Sequence, residues 1–140
     1  MNAEPDYSAL AEFRTRIREF LSFSEKAARA EGLEPAQHQA LLALKGLPSG
    51  ARPTIRAVAD RLLVRHHSAV GLVDRLSQRG LVRRTRCEAD ARAVLLSITP
   101  QGEKVLRRLA LAHRAELRSA APELVRSLRR AIRPRPKRAR

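Results

Sequence analysis

The run VRHHSAVGLVDRLSQRGLVRRTRCEADARAVLLSITPQG, Val64–Gly102, decides the fold. Within it Ala69, Leu72, Val73 and Leu76 recur at i, i+3, i+4 and i+7. That spacing gathers apolar side chains on one face of a helix. Gly80 follows Arg79 as a C-terminal stop, because glycine enters the left-handed region without steric cost. The period then changes. LVRRTR and AVLLSI are short apolar or β-branched runs with the polar CEADAR between them, which predicts two antiparallel strands joined by a loop. Thr99 and Pro100 restart a helix, with threonine as N-cap and proline at the first helical position.

Working outward, Leu10, Phe13, Ile17, Phe20, Leu21 and Phe23 fall mostly three and four apart and predict an amphipathic helix over residues 8–30, ended by Gly32. Pro35 opens a second helix with Ala40, Leu41 and Leu44 as its apolar stripe. Gly46, Pro48, Ser49 and Gly50 mark a loop. Thr54 is the N-cap of a short helix that turns Ile55, Val58, Ala59 and Leu62 inward. Downstream of Pro100, Val105, Leu106, Leu109, Ala112 and Leu117 supply an apolar side. Pro122 is expected to begin a separate last helix carrying Leu124, Val125, Leu128 and Ile132. RPRPKRAR, residues 133–140, is expected to stay disordered until it meets an anion. Three short helices, a hairpin and more helix make a winged helix-turn-helix, mainly α with a small β-hairpin wing. The expected organisation is one domain over residues 1–140, with the winged region at 35–98 between helices at 8–30 and 100–132.

Composition narrows the partner. A chain of 140 residues suits one domain. Aromatics make up 3% and tryptophan is absent, so the core must be aliphatic. The net charge of +15 is one-sided: residues 1–60 hold 8 basic and 8 acidic residues, residues 61–140 hold 21 and 6. Such asymmetry is the footprint of a polyanion, usually nucleic acid. The lone Cys87 cannot close an intrachain disulfide and suits a reducing compartment. MNAEPDYSAL is no secretory signal, and no apolar run approaches the roughly 18 residues of a membrane span. A cytoplasmic protein with no membrane partner is expected.

An enzyme is not expected, because no Ser-His-Asp order, hydrolytic carboxylate pair or glycine-rich phosphate loop stands out. No cofactor or metal is expected either. His66 and His67 are helix neighbours about 100° apart and cannot converge on one ion.

Three segments resemble the MarR family of bacterial transcriptional regulators. DARAVLLSITPQG, Asp90–Gly102, resembles the family's wing: Asp, one residue, Arg, a strand, then Thr, two residues, Gly. LVDRLSQRGLVRR, Leu72–Arg84, is similar to its passage from recognition helix to wing, and TIRAVADRL, Thr54–Leu62, to the first helix of its motif. The resemblance implies a homodimer built by the first and last helices. It also implies double-stranded promoter DNA with a palindromic operator as partner, and repressor action relieved by a small phenolic or aromatic acid. Half-sites are then expected about 34–36 Å apart. The apolar stripes of the flanking helices argue for the dimer independently, since they exceed what one small winged domain covers. The alternative is a basic architectural protein that coats or bends DNA without reading sequence.

The candidate DNA contacts are Thr54, Arg65, His66, His67, Ser68, Gly71, Arg75, Asp90 and Arg92. Arg65, His66, His67 and Ser68 stand at the start of the reading helix, whose first residues meet base edges. Imidazole can donate or accept there, and Arg65 or Arg75 can take phosphate or guanine. Gly71 costs a helix about 1 kcal/mol against alanine. Either the backbone approaches DNA closely there or the position is merely tolerant. The resembling family often has a larger polar or basic residue at Gly71.

The resemblance assigns Arg92 to the minor groove, whose negative potential favours arginine, and Asp90 would hold the wing's shape. Asp74 is expected to pair with a nearby arginine. Arg84 and Arg86 share a strand face, expected to be solvated or near phosphate. Leu63 stands where the family commonly has glycine. Leucine disfavours positive φ, so a differently built turn is expected. Cys87 is either a redox switch or simply a small residue. No effector pocket is nominated, since Arg16, His38 and His113 are only polar residues on the candidate helices.

Overall fold

In the computed structural model, which describes residues 4–90 and 92–134, seven elements follow one another. They are α1 (Tyr7–Ala30), α2 (Pro35–Lys45), α3 (Ile55–Leu62), α4 (His66–Gln78), β1 (Val82–Arg86), β2 (Val94–Ile98) and α5 (Pro100–Ile132). Among the described residues, contacts divide the chain into two compact units, residues 27–110 and residues 4–26 with 111–134.

The unit of residues 27–110 is the winged helix. Its boundaries follow local chemistry. Gly32 adopts φ 77°, closing α1 with a 2.9 Å bond from Leu33 N–H to the Ala28 carbonyl. Pro35 opens α2, and the Gln37 side chain accepts from the Glu34 N–H at 3.0 Å. Thr54 Oγ1 accepts from the Ala57 N–H at 3.1 Å, satisfying one of the orphan donors at the start of α3. Leu41, Leu44, Val58, Leu72, Val73 and Leu76 then meet in one aliphatic core with Leu81, Val82 and Leu96 of the hairpin and Leu106 and Leu109 of α5. Burying each such side chain stabilises the fold by about 1.5–3 kcal/mol.

The hairpin pairs Val82 with Ile98, Arg84 with Leu96 and Arg86 with Val94, antiparallel. The Leu96 N–H also donates to the Pro53 carbonyl at 2.7 Å, which ties the loop before α3 to the wing. Thr99 anchors the start of α5. Its hydroxyl donates to the Gly80 carbonyl at 2.6 Å and accepts from the Gly102 N–H at 3.1 Å. Gly102 has a packing reason. A Cβ built on it would overlap the Leu81 carbonyl oxygen and lie 2.7 Å from Ile98 Cγ2.

In the other unit, α1 and the C-terminal part of α5 are laced by Arg16–Glu123 at 3.7 Å and Arg130–Glu12 at 2.9 Å. His113 bonds Ser24 Oγ at 2.7 Å and meets the rings of Phe20 and Phe23 edge to face. Tyr7, Leu10, Leu21, Leu117, Val125 and Ile132 remain exposed.

Two expectations fail. Pro122 does not begin a new helix, because α5 runs through it unbroken from Pro100 to Ile132. An interior proline costs roughly 3 kcal/mol, so tertiary contacts on either side must offset it. These include the buried Ser127 and the pairs made by Glu123 and Arg130. The turn after α3 is also not rebuilt around Leu63. That residue adopts the left-handed conformation itself, φ 56° and ψ 40°. The backbone explains why. Leu63 N–H reaches the Asp60 carbonyl at 3.4 Å, and Val64 N–H reaches the Ala59 carbonyl at 3.1 Å, which closes the last turn of α3. Of RPRPKRAR, residues 135–140 lie outside the described residues. Among the described residues no helix is long and apolar enough to cross a membrane.

Candidate nucleic-acid interface

One face of α4 is spoken for. Ala69, Leu72, Val73 and Leu76 are buried in the core. The other face is open, with Arg65, His66, His67, Ser68 and Arg75 exposed. His67, Gly71 and Arg75 fall four residues apart and form one strip along it. No side chain caps α4: Arg65 stands at the N-cap, φ −69° and ψ 152°, without a side-chain bond. The N–H groups of His66 and His67 therefore have no intrahelical partner, the Ser68 N–H reaches the Arg65 carbonyl at 3.1 Å, and this end carries the positive end of the helix dipole. An anion is favoured there.

Gly71 faces no crowding. An added Cβ would meet only Arg75 Nη2, at 3.8 Å. Packing within the chain thus does not require glycine, and its bare backbone lies beside the Arg75 guanidinium.

The wing is organised by Asp90. Its Oδ1 accepts from the Arg92 N–H at 3.1 Å, and its carbonyl accepts from the Ala93 N–H at 3.0 Å. Cys87 N–H closes the loop on the Ala93 carbonyl at 3.0 Å. Asp90 therefore shapes the loop while Arg92 remains exposed on it. Thr54 holds α3 through its capping bond. Asp74 pairs with Arg84, as expected of it. Arg84 is exposed, as expected of its face, and the pair adds a partner for it on α4. Cross-strand partners share a face, so Arg84 lies on the face of Val82 and Leu96, the buried residues of the hairpin. Its guanidinium is tied to α4.

Several residues here have no clear signal in the sequence. Arg79, read only as the residue before a stop, donates to the Gly32 carbonyl and to Gln37 Oε1 at 3.4 Å, joining the end of α4 to the start of α2. Arg52 lies against Cys87, 35 positions away. Backbone N–H groups of Ala89 and Asp90 hold the Cys87 thiol below its usual range, and the Arg52 charge and hydrogen bond add to this while partial burial opposes it. Neither pairing follows from spacing, because both arise where loops meet.

The polar residues noted on the candidate helices are engaged or buried within the chain. Arg16 is ringed by Glu12, Glu19 and Glu123, His113 is bonded to Ser24, and His38 is only 2% exposed. A hollow of about 460 Å³ opens instead between α2 and α5, with Leu42, Leu106 and Ala110 among Lys104, Arg107 and the Lys45–Glu103 ion pair.

Comparison with known proteins follows this geometry. Residues 31–93 match the model of the MarR family. No curated protein matches the chain at a significant level. Among solved structures, CouR from Rhodococcus jostii RHA1, bound to p-coumaroyl-CoA, is 28% identical over 74% of this chain and 71% of that one, with a TM-score of 0.62. AbsC from Streptomyces coelicolor, a MarR family transcriptional regulator, is 24% identical over 95% of both chains, with a TM-score of 0.70. A variant of MepR from Staphylococcus aureus bound to an oligodeoxyribonucleotide is 21% identical over 87% of this chain and 83% of that one, with a TM-score of 0.63. The winged-helix fold, with α4 and the hairpin in place, agrees with these matches: residues 31–93 match the MarR family model, and the chain has the fold of MarR family transcriptional regulators.

Proposed function

We propose that the protein is a homodimeric, sequence-specific repressor of transcription in the bacterial cytoplasm, and not an enzyme. The observation that carries this reading is α4: buried on one face and open on the other, uncapped, with His66, His67 and Ser68 on its exposed first turn. In this reading Arg65, His66, His67, Ser68 and Arg75 meet bases and phosphates of the major groove. Gly71 lets the backbone come close, and Arg92 enters the minor groove from a wing shaped by Asp90. Thr54 acts by fixing the helix that precedes the reading helix.

The exposed apolar residues of α1 and of the C-terminal part of α5 support a dimer, since a second copy would cover them. Each subunit then addresses one half of a palindrome. The hollow between α2 and α5 suits a small apolar acid, with its body on Leu42 and Leu106 and its carboxylate near Lys104 or Arg107. CouR, a solved relative, is bound to p-coumaroyl-CoA, which supports an aromatic group in the ligand. Release of DNA requires the ligand to favour a form that binds DNA poorly.

Selection of bound sequences from random duplexes at a stated salt concentration tests the reading. A short palindrome with half-sites about one helical turn apart is expected. Recovery of no common sequence would favour the architectural alternative that the charge of +15 also accommodates.

A further inference from the structure

His66 and His67 form the exposed start of α4, with Arg65 exposed just before them. Neither imidazole makes a hydrogen bond or ion pair among the described residues. The first turn of α4 holds no acidic residue. The elements α2, α3 and β1 pack against α4, all within the unit of residues 27–110. Their charged and titratable groups are His38 and Lys45 on α2, Arg56, Asp60 and Arg61 on α3, and Arg83, Arg84 and Arg86 on β1. His38 is buried, and Lys45 is paired with Glu103. Arg61 donates to the Gly46 carbonyl at 3.4 Å, and Arg84 is tied to Asp74, the only carboxylate of α4. Asp60 is the one carboxylate on those three packed elements, and it makes no bond to either histidine among the described residues. The pair therefore faces solvent with no counter-ion bound to it from its own chain.

An imidazole changes charge between about pH 5 and 8. Neutral, it offers one donor and one acceptor; protonated, it offers two donors and a positive charge. The uncapped end of α4 favours an anion, and a phosphate within about 4–6 Å of an imidazole favours its charged form. A group that holds its proton more tightly in the complex than in the free chain takes up a proton on binding. By reciprocity, protons then tighten the complex. Affinity therefore rises as pH falls. Arginine or lysine at these two positions would bind phosphate with a fixed charge. Histidine makes the charge conditional.

We propose that DNA and protons are co-ligands at the start of α4: binding of a duplex protonates His66 and His67, so the protein holds DNA more tightly as pH falls. This rests on the reading of α4 as the helix that enters the groove, and it adds a regulatory input to that reading. It also couples pH to salt. Each imidazolium that neutralises a phosphate releases further counterion and steepens the slope of log K against log salt by about 0.9.

The test uses the full chain and a duplex recovered from the random pool, titrated calorimetrically in buffers of different ionisation enthalpy. The change of observed heat with buffer counts the protons taken up. Uptake of up to about two protons per subunit is expected, with log K falling as pH rises from about 6 to 8. The salt slope should be steeper at the acid end by up to about 1.8 per subunit. The double variant His66→Gln, His67→Gln should lose the uptake and the pH dependence. Each single variant should lose part of both, which keeps the test readable if the double variant binds too weakly to titrate. Cys87→Ser should keep both. That control is needed because the Cys87 thiol, held below its usual range on the wing, gains negative charge as pH rises and would weaken DNA binding in the same direction. Proton uptake that persists in the double variant overturns the proposal. So does tight binding by the unaltered chain with no proton uptake, and in that case the groove reading of α4 stands. If the unaltered chain binds no duplex at any pH, the groove reading falls and the proposal with it.

Discussion

At Leu63 a leucine occupies a conformation that L-residues other than glycine enter at a cost of about 1–2 kcal/mol. Its side chain is 92% exposed, so little burial offsets that cost; the two backbone bonds closing α3 do so instead. Leu63→Gly should therefore raise stability by about 1 kcal/mol, measured by urea unfolding at constant m-value. A loss of stability would mean that the exposed leucine is held by something else. Arg92 belongs to the same scale. Its backbone is pinned by Asp90 while its side chain is exposed. Arg92→Ala should weaken operator binding by about 1–3 kcal/mol and leave the dimer unchanged, which gel-shift titration and sedimentation can check together. Both positions were legible as unusual from the sequence: Leu63 for standing where glycine is common, Arg92 for its place in the wing pattern. What the sequence did not reveal was how each resolves. Whether a leucine accepts positive φ depends on hydrogen bonds from Val64 and Leu63 to carbonyls of the preceding turn.

At the scale of elements, the α3–α4–β1–β2 order was readable because each boundary has its own local chemistry. Thr54 caps, Gly80 turns at φ 70°, and the period shifts from three-to-four to two after it. Pro122 misled because proline is a strong local signal against a helix interior, and local signals cannot register the packing that carries a helix across one. The pattern Thr, two residues, Gly was legible as a family resemblance, and its cause is steric. Gly102 is where the first turn of α5 presses on the Leu81 carbonyl. Gly102→Ala should destabilise the protein by about 1–3 kcal/mol, the usual cost of overpacking. The obstacle is backbone and cannot swing aside, so thermal unfolding should show the loss. A neutral result would mean that α5 can shift away from β1 without cost.

For the whole molecule, the exposed apolar residues of α1 and the C-terminal part of α5 are the argument for a dimer. Leu21→Glu should place a charge in that contact and shift sedimentation from twice the 15.7 kDa chain mass toward one chain. Operator affinity should fall with it, because only one half-site would then be engaged. A variant that remains dimeric would move the interface elsewhere on these helices.

The sequence by itself determined the order of elements from α1 to the start of α5, the buried face of α4 and the one-sided charge. All three follow from residue type and periodicity within short windows. Only the tertiary structure decided that Arg84 ties the hairpin to Asp74, that Arg52 meets Cys87, that Arg79 joins α4 to the start of α2, and that α5 continues through Pro122. Each of these depends on residues far apart in the chain meeting in space. The free energy of such meetings comes from burial and long-range pairing, which no local spacing encodes.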